Sequence, residues 1–305
     1  MPRVIVFGNA TVDLTLCLPR FPVTGETVLA RSLSRSPGGK GLNQAVAAAR
    51  AGADVELIAP IGRDVDGAFL AAYLRAEGIM SAAILAPGTT DVSMIWVDYV
   101  GANMIASSAD AARSIKSDAV NTLLASLGRD DILIMQGNLR ADTTLAAAQQ
   151  ARARGARILF NPAPIAEDLA GLLRFTDLLI ANEIEAETLT GCGPEAAIAP
   201  LHRLGAETVI VSLGARGALY SDGHTTLSVA APPVEALDTS GAGDVLVGTI
   251  GAMLARSLDG PAALEIAIRA ASLSVTRAGT TPSFPTAAEM RALIAAPQQR
   301  MPRGS

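Results

Sequence analysis

Short apolar runs alternate with longer Ala- and Leu-rich stretches through most of this 305-residue chain. A short run rich in Val, Ile and Leu is typical of a strand buried on both faces, whereas the longer stretches carry the spacing of amphipathic helices. Strands are predicted at residues 4–8, 55–59, 132–136, 157–160, 178–181 and 208–212. Because strands and helices alternate, the sequence predicts an α/β fold with a mostly parallel central sheet flanked by helices.

Helices are predicted between these strands, at residues 42–51, 67–77, 142–154 and 183–190. Two longer helices, at 243–256 and 261–276, follow the last predicted strand. No repeat or low-complexity linker divides the pattern, so residues 1–300 are predicted to form one large α/β domain. The terminal sequence MPRGS at 301–305 is typical of an expression scar and is left out of the fold prediction.

Two regions break the alternation of strand and helix. Residues 12–18 with 27–34, and 92–100 with 103–107, alternate polar and apolar side chains as half-solvated antiparallel strands do. They predict a small second sheet, contributed by the segments 11–36 and 89–108. Ligands of parallel α/β sheets bind at the carboxyl ends of the strands, so this sheet is expected to act as a lid over that crevice.

Charge and composition narrow the range of partners. The formal net charge is −5, and aromatic residues make up only 3% of the chain. With no run of Lys and Arg, these features argue against a nucleic acid or an anionic membrane as the partner. Cys17 and Cys192 lie far apart and outside any metal-binding spacing, which favours reduced thiols in a cytoplasmic protein.

The segment DTSGAGD at residues 238–244 precedes a long predicted helix. Small residues allow the backbone to approach a ligand closely, and the free amides of a helix start offer a site for a phosphate group. Asp244 beside such a site could accept a proton from a hydroxyl group that attacks a γ-phosphoryl group. A capped turn without any ligand is the alternative for the same residues.

A second glycine-rich segment, PGGKGLN at residues 37–43, differs from a Walker A loop. Gly41 follows Lys40 at the position where that loop requires Ser or Thr. The segment places Asn43 near the start of a predicted helix, where a polyol could be held. An ordinary junction between a loop and a helix is equally compatible with it.

Two further segments follow predicted strands. Asn182 and Glu185 begin a helix, where acidic residues either offset the helix dipole or organise water around a nucleotide-bound Mg²⁺. Residues 212–217, with the sequence SLGARG, leave a strand and enter a tight turn. That turn is either a simple β-turn or backbone that lies against a nucleotide.

Together these segments resemble the ribokinase (phosphofructokinase B) family of carbohydrate kinases. The shared motifs are GGKGxNQA at 38–45, NPAP at 161–164, NxxEAxxLTG at 182–191, SLGxxG at 212–217 and DTxxAGD at 238–244. They occur in the family's order and span nearly the whole chain. The resemblance implies a ribokinase-like fold with a β-sheet lid, ATP and Mg²⁺ as cofactors, and transfer of the γ-phosphoryl group to a hydroxymethyl oxygen of a sugar.

The resemblance also implies residue roles, carried over motif by motif. Asp244 would be the catalytic base, with Gly241, Ala242 and Gly243 as the anion hole for the transferring phosphate. The side facing the sugar would comprise Thr11, Asp13, Gly39, Lys40, Asn43 and Asn138. The nucleotide would meet Asn182, Ser212, Gly214, Gly217 and Gly243, with Glu185 in the water shell of Mg²⁺. A potassium site like that of the family would involve Asp238, Ser240, Ser274, Arg277, Gly279 and Ser283.

Ribose is the substrate that the resemblance favours, since the segment beginning at Gly38 is most similar to the ribokinase branch. Two positions depart from it: Thr11 stands where ribokinases usually have Asn, and Asn138 where they have a sugar-binding Glu. An amide donates as well as accepts hydrogen bonds, so another pentose, a deoxy sugar, a sugar acid or a nucleoside stays open as the substrate. A non-catalytic sugar sensor is the alternative from another class. A second copy of the chain, paired through the lid, is an expected partner.

Overall fold

The structure, a computed structural model, describes residues 2–165 and 170–297. Its strands are β1 (Val4–Phe7), β2 (Thr11–Cys17), β3 (Ser32–Gly38), β4 (Val55–Ile61), β5 (Met80–Leu85), β6 (Asp91–Val97), β7 (Asn103–Ser107), β8 (Ile132–Gln136), β9 (Arg157–Asn161), β10 (Leu178–Asn182), β11 (Thr208–Ser212), β12 (Ala218–Ser221) and β13 (Thr226–Val229). Its helices are α1 (Lys40–Arg50), α2 (Val65–Ala76), α3 (Val120–Leu123), α4 (Ala141–Arg154), α5 (Ala170–Leu173), α6 (Glu183–Thr190), α7 (Pro194–Arg203), α8 (Ala242–Ala255), α9 (Gly260–Ser274) and α10 (Ala287–Ala295). The segment 301–305, predicted as a scar, lies outside the described residues.

The main sheet has nine strands in the order β13-β12-β11-β10-β9-β8-β1-β4-β5. All neighbours are parallel except at one edge, where β12 is antiparallel to both β11 and β13. This confirms the predicted mostly parallel sheet. The order reverses beside β1, which lies between β8 and β4, and ligands of α/β sheets bind at the carboxyl ends of strands around such a point.

Helices cover both faces of the main sheet. The four residues of β1 are completely buried, and their side chains alternate between the two faces. Val4 and Val6 join a core that includes residues of α1, α8 and α9. Ile5 and Phe7 join a second core that includes residues of α4 and α7. Burial on both sides explains why this strand reads as an uninterrupted apolar run.

The second sheet contains the four strands β3-β2-β6-β7. The predicted strands at 12–18, 92–100 and 103–107 agree with β2, β6 and β7 to within a few residues. The prediction at 27–34 was wrong in position, because β3 begins at Ser32 and continues to Gly38. The expected antiparallel pairing holds for β2–β3 and β6–β7, but β2 and β6 run parallel. Two antiparallel pairs are therefore joined side by side.

The two faces of the second sheet differ in polarity. Asp13 of β2 is in register with Ser36, Ser93 and Ser107 of the other strands, which makes a polar row on one face. On the opposite face, a row of apolar side chains crosses the sheet. That row consists of Leu33, Leu16, Trp96 and Met104, and its two end members are 64% and 51% exposed. The expected pairing of two copies through this sheet stays a prediction, and the apolar row supports it.

The elements that the sequence analysis missed include α7, α10 and the edge strands β5, β12 and β13. Pro200 inside α7 disguises its helical pattern, since proline normally marks a helix end. Strand β13 is partly exposed and lacks an apolar run. In the part of the chain that the structure describes, no helix is both long and apolar enough to cross a membrane.

Candidate active site

Polar side chains line the carboxyl edge of the main sheet. Gln136 ends β8 and is in register with Asn161 at the end of β9. Asn182 ends β10 and is in register with Ser212 at the end of β11. Since parallel strands end at the same edge, four distant segments of the chain share one rim, where a ligand of an α/β sheet is expected.

Asp244 lies in the first turn of α8. The residue before this helix, Gly241, has a φ of +77°, in the left-handed region that favours glycine. A Cβ on Gly241 would lie 2.7 Å from Cε1 of Phe284, so the turn is packed closely from behind. Within the described chain, no side chain caps this turn. The Ala242 N–H donates to the Thr239 carbonyl over 3.3 Å, which leaves the amides of Gly241 and Gly243, among the described residues, for an anion.

The carboxylate of Asp244 is 6% exposed, and both of its oxygens accept hydrogen bonds. Nδ2 of Asn43 donates to Oδ2 over 2.9 Å, and Nε2 of Gln44 donates to Oδ1 over 3.0 Å. Two residues of α1 thus hold the side chain that was predicted to accept a proton.

Glycines bring the start of α1 close to the segment between β1 and β2. A Cβ on Gly39 would lie 2.9 Å from the backbone nitrogen of Thr11, and one on Gly41 would lie 2.6 Å from the carbonyl oxygen of Asn9. Close packing of the backbone therefore accounts for glycine at both positions, without a ligand. Asn43 is different: its Oδ1 is buried without a hydrogen-bond partner in the described residues, as expected of an atom that awaits a ligand.

Asp13 joins the polar face of the second sheet to this site. Oγ1 of Thr11 donates to Oδ1 of Asp13 over 2.9 Å. Burial raises the pKa of the Asp13 carboxyl, hydrogen bonds from Thr11 and Ser93 oppose the rise, and the charge of Asp244 adds to it. A Cβ on Gly38 would overlap the Asp13 carboxylate. Thr11 is buried behind Asp13 and supports it, so its predicted direct contact with the sugar stays a prediction.

Asn182 and Glu185 form a capping box at the start of α6. Nδ2 and the backbone N–H of Asn182 donate to the two Glu185 oxygens, each over 2.9 Å. The capping box gives both residues a structural role at the helix start, and the predicted role near Mg²⁺ stays a prediction. Burial raises the pKa of the Glu185 carboxyl, the positive charge of Lys40 opposes this, and Asp244 adds to it. Lys40 and Asp244 are therefore both within electrostatic reach of Glu185.

The turn after β11 is stabilised by a hydrogen bond within the turn itself. The Leu213 N–H donates to the carbonyl of Gly217 over 2.8 Å. Gly217 has a φ of +96°, and a Cβ there would lie 1.9 Å from the carbonyl oxygen of Val229, so packing alone explains this glycine. Ser212 and Gly214 flank the rim beside Asn182, and a Cβ on Gly214 would meet open space.

Asn138 lies just beyond β8. The preceding Gly137 donates its N–H to the carbonyl of Ala163 over 3.1 Å. A Cβ on Gly137 would lie 2.1 Å from the carbonyl oxygen of Pro164, so this turn packs tightly against the NPAP motif. Oδ1 of Asn138 is buried and, among the described residues, has no partner. A ligand hydroxyl would satisfy it.

Asp238 connects the two segments of the predicted potassium site. Its carboxylate accepts hydrogen bonds from the N–H of Ser240 over 2.9 Å and of Gly279 over 2.8 Å. Burial alone would raise the pKa of this carboxyl, but the backbone and hydroxyl donors outweigh burial and hold the pKa below its usual value. The side chain of Arg277 pairs with Glu289, which leaves only its backbone for a cation.

The two serines of that prediction are also engaged locally. The Ser274 hydroxyl donates to the Ala271 carbonyl over 2.8 Å, and the Ser283 hydroxyl to the Thr280 carbonyl over 2.7 Å. Both side chains are buried. Because each hydroxyl donates its one hydrogen to these carbonyls, its oxygen can act only as an acceptor toward another group. In residues 2–165 and 170–297, His, Cys, Asp and Glu do not gather in threes as a metal site requires.

A layer of polar side chains behind Asp244 was not predicted from the sequence. Gln44, Gln136 and Asn161 are buried and hydrogen-bonded to one another. Gln44 and Asn161 stand inside shared motifs, and Gln136 ends the otherwise apolar strand β8. A polar residue on a face that should be buried is the signal that could have found them.

Comparisons with known proteins agree with this architecture. Residues 1–287 match the sequence model of the pfkB family of carbohydrate kinases. A ribokinase from Haemophilus influenzae is 32% identical over 292 residues, which cover 93% of this chain and 95% of that protein. A deoxyribokinase from Salmonella typhi is 30% identical, with the same coverage. The crystal structure of a ribokinase from Thermotoga maritima has a TM-score of 0.90 at 29% identity, covering 97% of this chain and 100% of that one. The predicted ribokinase-like fold is confirmed.

Proposed function

The chain belongs to the pfkB family of carbohydrate kinases, and from this membership we propose that it phosphorylates a hydroxymethyl group of ribose or a closely related sugar, with Asp244 as general base. That it is an ATP-dependent sugar kinase of the ribokinase type follows from its family and relatives. The observation that carries the finer proposal is the buried Asp244 carboxylate, held by two amide donors at an uncapped helix start.

In the proposed reaction, Asp244 accepts the proton of the sugar hydroxyl as that oxygen attacks the γ-phosphorus of ATP. The bond between the γ-phosphorus and the bridging oxygen breaks, and ADP leaves. The backbone amides at Gly241, Ala242 and Gly243 would face the negative charge that spreads over the transferring group, for which the Ala242 N–H would leave the Thr239 carbonyl. Proton acceptor and anion site lie in one turn of α8, so one element positions both.

The nucleotide end of the proposed site comprises Asn182, Ser212, Gly214 and Gly217. Mg²⁺ bound to ATP neutralises phosphate charge and keeps several of its waters. The Glu185 carboxylate is already held at both oxygens by Asn182, so it fits a role of holding those waters. The partly buried Glu185 gains a favourable partner when a hydrated cation arrives, since burial otherwise disfavours its charge.

The sugar end comprises Asp13, Asn43 and Asn138, with Gly39 and Lys40 at the start of α1. The unpartnered Oδ1 atoms of Asn43 and Asn138 are acceptors for sugar hydroxyls. Steady-state ADP release with ribose, deoxyribose, other pentoses, sugar acids and nucleosides tests the proposal. Turnover with a sugar supports it. Turnover with nucleosides alone would replace it with a nucleoside kinase, and binding without turnover would favour a sensor.

Thr11 and Asn138 are proposed to set the choice of sugar. We expect Thr11→Asn/Asn138→Glu to change the ranking of kcat/KM between ribose and its competitors by roughly 10-fold or more, because unpaired buried polar groups reject a poorly matched ligand. Steady-state kinetics of both enzymes with the same sugars measure this. If ribose is already preferred by a wide margin, and the double variant leaves the ranking unchanged, these residues do not determine specificity.

A monovalent cation is proposed beside the anion hole. The amides of Leu237 and Asp238 donate to the Val275 carbonyl, so the two segments cross at this point. Backbone carbonyls and the Asp238 carboxylate would replace the hydration shell of K⁺ and fix the segment that leads to Asp244. We expect the rate to rise when K⁺ is added to a Tris-buffered, Na⁺-free assay. Equal rates at matched ionic strength, with and without K⁺, would remove this proposal.

A further inference from the structure

A chain of buried amide side chains lies behind Asp244, and the proposed phosphoryl transfer makes no use of it. Gln44, Gln136 and Asn161 are 0%, 1% and 7% exposed. Nε2 of Gln44 donates to Oδ1 of Asp244 over 3.0 Å and to Oδ1 of Asn161 over 3.2 Å. Nε2 of Gln136 donates to Oε1 of Gln44 over 2.7 Å. The chain joins α1 and α8 to the ends of β8 and β9.

The direction of the Gln44 amide is fixed through Asn161, which is itself oriented by a backbone group. Nδ2 of Asn161 donates to the carbonyl of Ile180 over 3.0 Å, and a carbonyl can only accept. Oδ1 of Asn161 must therefore face Gln44, which turns Nε2 of Gln44 toward it. Gln136 is consistent with this direction, because its Nε2 donates to Oε1 of Gln44. Its own Oε1 has no hydrogen-bond partner among the described residues. The result is that Gln44 can present only a donor to Asp244.

From this arrangement we infer that Gln44 is a positioning residue for the catalytic base, held in the donating direction by Asn161 and Gln136. This inference rests on the proposed role of Asp244. Gln44 fixes the carboxylate so that its other oxygen, shared with Asn43, stays toward the site. A buried hydrogen bond to a charged group is among the stronger ones, so its loss should be measurable in catalysis.

The charged groups around Asp244 are mostly acidic, so an uncharged donor is a suitable partner for its carboxylate. Asp13 on β2 and Glu185 on α6 both feel the negative charge of Asp244, while Lys40 on α1 acts on Glu185. The amide donors Asn43 and Gln44 hold the Asp244 carboxylate without adding a further charge to this site.

Two variants of Gln44 separate positioning from simple packing. Gln44→Met keeps the length of the side chain but removes every hydrogen bond, and we expect kcat to fall roughly 10- to 100-fold with little change in the KM of either substrate. Gln44→Glu keeps the shape but, when ionised, places an acceptor against Asp244. When protonated, the introduced carboxyl regains one donor for Asp244 and an acceptor for Gln136. The activity of Gln44→Glu relative to wild type should therefore rise as the pH falls.

The pH profile decides the inference, because a role in packing alone would not produce it. We expect Gln44→Met to show no such recovery at low pH. Thr249→Val is the matched control. Thr249 is a fully buried residue of α8, and its hydroxyl has no partner among the described residues. We therefore expect the kcat of the Thr249→Val variant to equal that of wild type. Thermal unfolding of each variant reports whether it folds.

If neither Gln44 variant folds, Gln136→Met carries the test. It frees one end of Gln44 to rotate, and a loss of at least about threefold in kcat is expected. The inference would be overturned if Gln44→Met folds and keeps the wild-type kcat. If the Gln44 variants do not fold, a wild-type kcat in Gln136→Met would overturn it. A Gln44→Glu variant without recovery at low pH would also overturn it. If Asp244→Asn itself retained activity, the proposed function would fail first, whatever the Gln44 variants show.

Discussion

Asp244→Asn is expected to lower kcat by roughly 10²–10⁴-fold, the range typical for loss of a general base. The substitution preserves the shape of the side chain but removes its ability to accept the proton of the sugar hydroxyl. It also turns an amide N–H₂ toward either Asn43 or Gln44, both of which donate to the carboxylate. We therefore expect a moderate loss of stability, on the order of 1–3 kcal/mol, alongside the loss of rate.

Two measurements separate these effects. Calorimetric titration with ATP should give a dissociation constant close to that of wild type, because the change touches the acceptor and not the nucleotide end of the site. Thermal unfolding reports the stability term, and the assay is run well below the midpoint of unfolding. A variant that keeps more than about a third of the wild-type kcat would show that Asp244 is not the base.

Gly243→Ala should reduce kcat by roughly 10²- to 10³-fold while leaving the fold unharmed, which is the second large effect we expect. Gly243 is the second residue of α8, and a Cβ there would meet no heavy atom within 4 Å. Alanine favours helices more than glycine does, so the melting temperature should stay the same or rise. The added methyl group would instead occupy the space that the proposed anion hole keeps for the transferring phosphoryl group.

Other glycines provide matched comparisons. Gly241→Ala should destabilise the protein by roughly 1–3 kcal/mol, because Gly241 has a positive φ and a Cβ there would overlap Phe284 and Thr280. Gly193→Ala, at the start of α7 with open space around the new Cβ, should change the rate little. An active Gly243→Ala enzyme, with kcat near that of Gly193→Ala, would remove the anion hole from the proposed site.

Much of the main sheet could be predicted from the sequence because its strands are buried on both faces. A run such as that of β1 admits few other interpretations once helices flank it. The edge strand β13 was missed because it is mostly exposed and carries a weaker pattern. Its neighbour β12 is buried but only four residues long, too short for a clear pattern. The shift of β3 has a similar cause, since Ser32 and its successors are mostly exposed and no apolar alternation marks where pairing begins.

The candidate site was predicted only where its residues stand in local motifs. Asp244, Asn43 and Glu185 were proposed because each lies beside small residues or at a helix start. Gln136 and Asn161 act through pairing between strands that are distant in sequence, and only the fold shows that they meet. The direction of the Gln44 amide likewise depends on a backbone carbonyl in β10, which no local pattern reveals.

The most direct test of the central proposal is to identify the product of the reaction. The purified chain is incubated with ATP, Mg²⁺ and ribose or its competitors, and the mixture is analysed by mass spectrometry and ³¹P nuclear magnetic resonance. We expect one sugar to gain a single phosphomonoester on its hydroxymethyl carbon, in amounts equal to the ADP released. ADP formation without a phosphorylated sugar, or a phosphate on any other hydroxyl, would contradict the proposed reaction.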